Sequence, residues 1–404
     1  MLDLLRGLRS ITATPGRGCT RLAYTPFEDQ AHDYVWERLR SISGLLRIDD
    51  AAGNTFIVPP SAVEDRSPIV LMGSHLDTVI EGGWLDGALG VAAAVHVVES
   101  RARGGHADHH LGLVIFRDEE GVRFSTGLFG SKVFAGECTT IDLDVSDSEG
   151  TSVRDVVPDP DGCFSYRPPV NAAAFLECHI EQGERLIESG TRIGVVSGIV
   201  GIRRFELEAI GMANHAGTTD MRRRTDALVP VADIVARCPK LVDDMDDAVI
   251  TCGRLTVNPG APNIVPGRAA ATIEIRGRDD ATLDNIEQRL RDMVSSLKPA
   301  VAGGRRAEIG LQPLVSVAPN PTDATLSNLL VGVLNDRGVA FKRLASMAGH
   351  DTQQAARRCP SAMFFIPSID GVSHNPDENS HEEDILLAGV LMDSWADRWV
   401  AECS

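Results

Sequence analysis

No apolar run in this chain approaches the roughly 18 residues that a membrane-spanning helix needs, so a helical integral membrane protein is excluded. Basic charge is scarce: 39 Lys and Arg face 57 Asp and Glu, for a formal net charge of −18. That deficit excludes phosphate-backbone binding as the main activity, because such binding rests on basic patches. Neither a nucleic-acid nor a membrane partner is expected. The cysteines (Cys19, Cys138, Cys163, Cys178, Cys238, Cys252, Cys359 and Cys403) include no Cys-x-x-Cys pair, so neither a zinc finger nor a thioredoxin motif is offered. Reduced, mostly buried thiols are the expectation. The N-terminus carries Asp3 and no long apolar core; it makes a poor signal peptide and reads as an amphipathic helix. A cytoplasmic protein is expected. No internal repeat or low-complexity tract stands out.

What is present is ordinary globular composition, 43% hydrophobic and 24% charged over 404 residues, enough chain for two or three domains. Thr25-Pro26-Phe27-Glu28 places Thr at an N-cap, Pro at the first helical position and Glu at the third, the pattern of a capping box. Val35, Leu39 and Ile42 then recur on one face. Four short apolar runs follow, each leading to polar residues. Ile69–Met72 leads to His75 and Asp77, and Leu111–Phe116 to Glu119 and Glu120. Ala172–Leu176 leads to His179, and Ala362–Ile366 to His374. Continuous runs of this length suit buried parallel strands, and open α/β sheets bind ligands beyond the carboxyl ends of their strands. Residues 87–100 between the first two read as a helix. The expected fold is therefore α/β, a mixed, mostly parallel sheet flanked by helices. From residue 202 to 317 the pattern changes: Phe205–Ile210 and Ala271–Ile275 alternate, as in a sheet with one solvated face, and Leu283–Leu297 is helical. This predicts an inserted α+β domain at 202–317, with the first domain built from 1–201 and 318–404.

Several residues could carry chemistry. His75-Leu-Asp77 stands where a strand should end, and an adjacent carboxylate can orient a metal-ligating His; an ordinary loop is the plainer reading. Asp86-Gly87 in a glycine-rich turn suits a ligand or a helix N-cap. The adjacent carboxylates of Glu119 and Glu120 repel each other unless solvated or neutralised, and a dication neutralises them. One can ligate while the other takes a proton from water; an acidic surface turn is the alternative. His179 and His374 taken singly also suit a core and a loop. Together, three His, one Asp and one Glu without a thiolate form an N/O set suited to Zn, Mn, Co or Ni. Two divalent metal ions sharing one Asp need about this many ligands. In the inserted domain, Arg276 beside Asn263 suits a substrate carboxylate, although Arg276 also reads as a solvated strand residue. His215 could stabilise an oxyanion.

Gly73-Ser-His-Leu-Asp-Thr-Val79, Asp86-Gly-Ala-Leu-Gly-Val91, Glu119-Glu-Gly-Val-Arg-Phe124, Glu177-Cys-His-Ile-Glu-Gln-Gly183, Asn214-His-Ala-Gly-Thr-Thr219 and Ser373-His-Asn-Pro376 resemble the amidase/hydantoinase/carbamoylase branch of the M20 metallopeptidase-like family. That branch contains N-carbamoyl-L-amino-acid hydrolases, allantoate amidohydrolases and β-ureidopropionases. The resemblance implies that His75 and His179 hold one metal, Glu120 and His374 the other, with Asp86 bridging and Asp77 supporting. It implies Glu119 as general base and later acid, and His215 as the group polarising the scissile carbonyl across a homodimer. Gln182, Asn263 and Arg276 are implied to bind the substrate's amide and carboxylate, and the inserted domain to serve as lid and dimer interface. Asp220, Met347, Asn379 and His381 depart from the family pattern near substrate-facing loops, so they bear on substrate more than on hydrolysis.

The expected activity is hydrolysis of a ureido or amide C–N bond in a small carboxylate substrate, foremost an N-carbamoyl-L-amino acid. Allantoate is the nearest competitor, and an N-acyl amino acid or dipeptide lies further off. A non-catalytic metal-binding dimer would be free to lose Glu119, Asp86 or His374, and all three are present.

Overall fold

The structure, a computed structural model, describes residues 1–102, 106–297 and 305–403. The N-terminal residues form helix α1 (Leu2–Ser10), which buries Leu4, Leu5 and Leu8. Helix α2 (Pro26–Leu39) starts where the sequence indicates, with Thr25 as N-cap and Pro26 in the first turn. The capping box itself does not form. Glu28 Oε2 instead accepts the Tyr24 N–H at 2.6 Å and the Arg117 guanidinium at 2.6 Å, a charged partner that a local capping pattern cannot anticipate.

Next come β1 (Leu46–Asp49), β2 (Thr55–Val58), β3 (Pro68–His75), helix α3 (Ala88–Arg101), β4 (Leu111–Phe116), β5 (Asn171–Ile180) and β6 (Ile193–Ile199). The chain then divides into two compact units, residues 1–197 with 322–404, and residues 198–321. The second unit holds β7 (Gly201–Ile210), β8 (Asn214–His215), α4 (Leu228–Arg237), β9 (Ala248–Asn258), β10 (Ile264–Val265), β11 (Arg268–Gly277), α5 (Asp280–Ser295), β12 (Glu308–Val317) and β13 (Asn320–Pro321). The first unit resumes with α6 (Ala324–Asp336), β14 (Phe341–Ser346), α7 (Asp351–Ala355), β15 (Ser361–Ile366) and α8 (Glu382–Cys403).

The four apolar runs become neighbouring strands of the first unit's sheet, in the order β1-β2-β4-β3-β5-β15-β6, with β14 on β6. Its centre is parallel, with β3 on β4 and β5, and β15 on β5; β1, β2 and β6 pair antiparallel on its flanks. The runs are continuous rather than alternating because both faces are covered. Val70 and Met72 enter one core with α3, α6 and α8, while Ile69 and Leu71 enter another with Phe56, Phe116 and Phe175. Each such side chain contributes about 1.5–3 kcal/mol of burial, so the strand ends that present His75 and His179 are firmly held.

In the second unit the order is β12-β7-β11-β9, all antiparallel. Phe205, Leu207 and Ala209 on β7 and Ala271, Ile273 and Ile275 on β11 face Ile234 of α4 and Leu283, Ile286 and Leu290 of α5. The intervening residues face outward, which is the alternation visible in the sequence. No helix among the described residues is long and apolar enough to cross a membrane. The cysteines with described side chains are free thiols, of which Cys19, Cys163, Cys178, Cys238 and Cys359 are buried; the Cys403 side chain lies outside the described residues.

Candidate functional site

Two imidazoles sit at the carboxyl ends of adjacent parallel strands. His75 ends β3, and its Nδ1 lies 3.1 Å from the Asp77 backbone carbonyl. His179 lies near the end of β5, with Nδ1 2.9 Å from the Ile180 carbonyl. A carbonyl can only accept, so each Nδ1 carries a proton and each Nε2 is turned toward the space between the strands, where His179 Nε2 also lies 3.2 Å from the Gly87 backbone nitrogen. Asp86 occupies that space. Its Oδ1 is 3.5 Å from His75 Nε2 and 3.1 Å from His179 Nε2. Asp86 does not cap α3: the N-cap is Gly87, with φ +63° and no side-chain cap bond. A Cβ at Gly87 would stand 2.5 Å from the His75 ring, so glycine is required both by the backbone and by the imidazole beside it.

The acidic pair is held by a different device. Asp118, at φ +54°, turns the chain after β4, and the buried Arg117 behind it is anchored to Glu28. The backbone N–H groups of Glu119 and Glu120 then donate to Asp77 Oδ1 and Oδ2 at 3.1 and 3.0 Å. Asp77 Oδ1 is also 3.3 Å from His75 Nδ1. One buried carboxylate thus sets both the first imidazole and the start of the acidic pair. Glu119 Oε2 lies 3.6 Å from His75 Nε2.

A loop after β15 brings the third imidazole. His374, at φ +54°, places Nε2 3.3 Å from Asp86 Oδ2 and 3.3 Å from Glu120 Oε2. Gln182 Nε2 donates to Asp86 Oδ2 at 2.8 Å. The result is two ligand groups, His75/Asp86/His179 and Asp86/Glu120/His374, each with donor atoms within 4.8 Å of one another and sharing Asp86.

The electrostatics favour a cation. Burial pushes the Glu119 carboxyl well above its ordinary range. Burial, and then the Asp86 charge, raises Glu120 to about 8. For His75 burial acts downward, but the Glu119, Asp77 and Asp86 carboxylates outweigh it and hold the imidazole well above its usual value. His374 is raised to about 9, first by its hydrogen bond to Asp86. Carboxylates crowded in a dry cleft retain protons that a dication displaces. Buried His75 Nε2 and Gln182 Oε1 have no hydrogen-bond partner, and the donor set is all nitrogen and oxygen. A pair of divalent cations fits these residues.

His215, Asn263 and Arg276 lie in the second unit. His215 and Asn263 are exposed on one ribbon: β8 pairs with β10, and the Ala216 N–H donates to the Asn263 carbonyl. His215 Nδ1 accepts the Gly217 and Thr218 N–H groups at 3.1 and 3.3 Å, which leaves Nε2 as the outward N–H donor. Arg276 is half-buried and pairs with Glu274, Nε to Oε1 at 3.0 Å. Of the departures, Asp220 Oδ1 accepts the Arg222 N–H and Asn379 Oδ1 the Ser380 N–H; both are local turn bonds.

A family model for peptidase family M20/M25/M40 matches residues 71–396. The chain belongs to this family. It is 34% identical to the N-carbamoyl-L-amino acid amidohydrolase of Geobacillus stearothermophilus, covering 96% of this chain and 95% of that one. It is 33% identical to the allantoate amidohydrolase of Escherichia coli K12, covering 96% and 94%. A crystal structure of a hydantoinase/carbamoylase family amidase from Burkholderia multivorans superposes with a TM-score of 0.85 at 31% identity, over 98% of this chain and 96% of that one. The M20 chain described here is accordingly a hydrolase of amide or ureido bonds.

The sequence assigns no role to two buried carboxylates, although one of them stands within the Glu177–Gly183 motif. Glu177 Oε1 accepts from Ser74 Oγ at 2.7 Å, and Oε2 accepts from the Thr352 N–H and Oγ1 at 2.9 and 2.7 Å. It braces the strands carrying His75 and His179, and its position two residues before His179, hence on the same strand face, was the available signal. Glu378 is the other.

Proposed function

We propose that the chain hydrolyses the ureido C–N bond of an N-carbamoyl-L-amino acid, releasing the amino acid, carbon dioxide and ammonia. The observation that carries this reading is the pair of ligand groups sharing Asp86, with Glu119 beside His75. His75 and His179 would hold one divalent ion and Glu120 and His374 the other, with Asp86 common to both groups; Zn, Mn, Co and Ni all suit these donors. When bound, such ions supply Lewis-acid stabilisation of developing negative charge and make water more acidic.

The chain's own groups do the rest. Glu119 takes a proton from the attacking water and returns it to the departing amino-acid nitrogen, so the C–N bond breaks without expelling an amide anion. His215, whose Nε2–H is fixed as a donor, stabilises the carbonyl oxygen as it gains charge. Gln182 orients the carbamoyl group, and Asn263 with Arg276 takes the carboxylate. His215 reaches the site of a partner copy, in a cytoplasmic homodimer joined through the inserted unit, which also closes as a lid. The family resemblance supports these assignments, as does the similar identity to carbamoyl-amino-acid and allantoate amidohydrolases, which keeps allantoate as the second substrate to test.

Ammonia release from Mn- or Zn-reconstituted protein tests the reading on N-carbamoyl-L-amino acids, N-carbamoyl-β-alanine and allantoate, with chelated enzyme as control. Chelator-sensitive ammonia from the first group is expected. Release from allantoate alone would reassign the substrate. Silence across the panel with two ions bound would replace the ureido bond by an amide that yields no ammonia.

A further inference from the structure

Glu378 is 1% exposed and lies four residues after His374 in sequence, yet its carboxylate is spent on the other side of the site. Oε1 accepts the backbone N–H groups of Leu85 and Asp86 at 3.0 and 3.1 Å. Oε2 accepts from Ser373 Oγ at 2.9 Å, and the same hydroxyl stands 3.2 Å from Asp86 Oδ2. The turn before Asp86 wraps closely around this side chain: a Cβ at Gly83 would fall 2.0 Å from Glu378 Oε1. On its own loop, the Glu378 N–H donates to the Asn375 carbonyl at 3.0 Å, closing the turn that carries His374. A single carboxylate therefore ties the Asp86 turn to the His374 loop.

The two ligand groups differ in how much they need such a tie. His75 and His179 stand at the ends of core strands, and backbone carbonyls fix their rings. His374 sits on a loop with a half-exposed side chain; its register against Asp86 is set by the Glu378–Ser373 bridge and by Gln182, whose Nε2 donates to Asp86 Oδ2 at 2.8 Å and lies at a longer 3.4 Å from both Ser373 Oγ and His374 Nε2.

We propose that Glu378 is a positioning residue that fixes the separation of Asp86 and His374 and so governs binding of the second cation, at Asp86/Glu120/His374, far more than the first, which shares Asp86 but keeps His75 and His179 on their strands. This rests on the two-ion reading above. The contribution is geometric. Gln at 378 keeps one oxygen for the two backbone donors and can donate its NH2 to Ser373 Oγ, whose proton then turns to Asp86.

The test is calorimetric titration of chelator-stripped protein with Mn(II), with no turnover involved. Wild type should take two ions. Glu378→Ala should keep the first within about threefold and weaken the second by about 10–100-fold, the usual effect of removing a ligand's supporting partner; its isotherm should approach that of His374→Ala. Glu378→Gln should restore the second site to within about threefold of wild type. Two normal sites in Glu378→Ala, parallel weakening of both, or a Gln variant as impaired as Ala would each overturn the proposal. If Glu378→Ala does not fold, Ser373→Ala removes the bridging hydroxyl, together with its contacts to Asp86 and Gln182, and must show the same selective loss; an unchanged second site there overturns the proposal. A wild-type protein binding fewer than two ions would overturn the two-ion reading itself, and this inference with it.

Discussion

Asp77→Asn is the most informative single change to the site, because Asp77 is 1% exposed and both of its oxygens are in use. The substitution keeps the shape and replaces one oxygen by an NH2 group. Whichever oxygen is lost, one of the Glu119 and Glu120 backbone N–H groups, now at 3.1 and 3.0 Å from its acceptor, faces another donor. Stranding a buried N–H costs about 1–3 kcal/mol. The surviving bond also loses its ionic acceptor, and charge-assisted bonds are roughly twice as strong as neutral ones. Together these predict a loss of roughly 2–4 kcal/mol in the stability of the metal-free protein, measured by urea unfolding. The same two amides set where the Glu119 and Glu120 side chains begin, and a site of this kind tolerates displacements of only about 0.5 Å. Mn(II) affinity should therefore fall by about 10–100-fold. A variant within about 0.5 kcal/mol of wild type, an ordinary value for an uncoupled surface change, and with unaltered Mn(II) affinity would refute the reasoning. Lost stability with intact affinity would limit Asp77 to holding the loop.

Glu119→Gln should abolish turnover while metal content by elemental analysis stays at the wild-type level; substantial residual activity would remove Glu119 from the proton-transfer role. Gly87→Ala places a Cβ 2.5 Å from the His75 ring at φ +63° and adds roughly 1–3 kcal/mol of backbone strain. Its metal-free form should melt lower and bind Mn(II) more weakly, and wild-type values for both would show that the ring is not confined there. Asp50 supplies a pH test away from the site. Burial outweighs its hydrogen bonds from Tyr166 and Asn54 and raises its carboxyl from 3.8 to about 6. A raised folded-state value means that the folded form holds the proton more tightly, so this contribution is present below about pH 4 and lost as pH rises through about 6. The shift is worth at most about 3 kcal/mol, reduced by the partial solvent access of Asp50. Urea unfolding of wild type and Asp50→Asn should diverge across this window, and parallel profiles would refute it.

The central strands and the chemical character of the site were legible in the chain itself. A run such as Leu111–Phe116 with polar residues beyond it already describes a strand buried on both faces, since only a doubly covered strand lacks alternation. Alternation at Phe205–Ile210 likewise announces a sheet with one open face. His75, Glu119, Glu120 and His179 stand out because imidazoles and paired carboxylates at strand ends are costly there unless they have partners, while Asp86 and His374, on a turn and a loop, gain meaning only as members of the same nitrogen and oxygen donor set and through the family resemblance. What tertiary structure alone decided is which carboxylate serves which partner. Glu28 reads as a helix cap until Arg117, distant in sequence, claims it. Arg276 reads as a group for a substrate carboxylate or as a solvated strand residue, and the fold gives its fork Glu274 as a partner. Asp77 reads as support for His75 and proves also to hold two backbone amides. Glu378 carries no local signal, because its partner Asp86 lies 292 residues away. Local sequence records burial and periodicity, which depend on neighbours along the chain. Partnership among buried charges depends on which elements the fold brings within about 3 Å, the reach of a hydrogen bond.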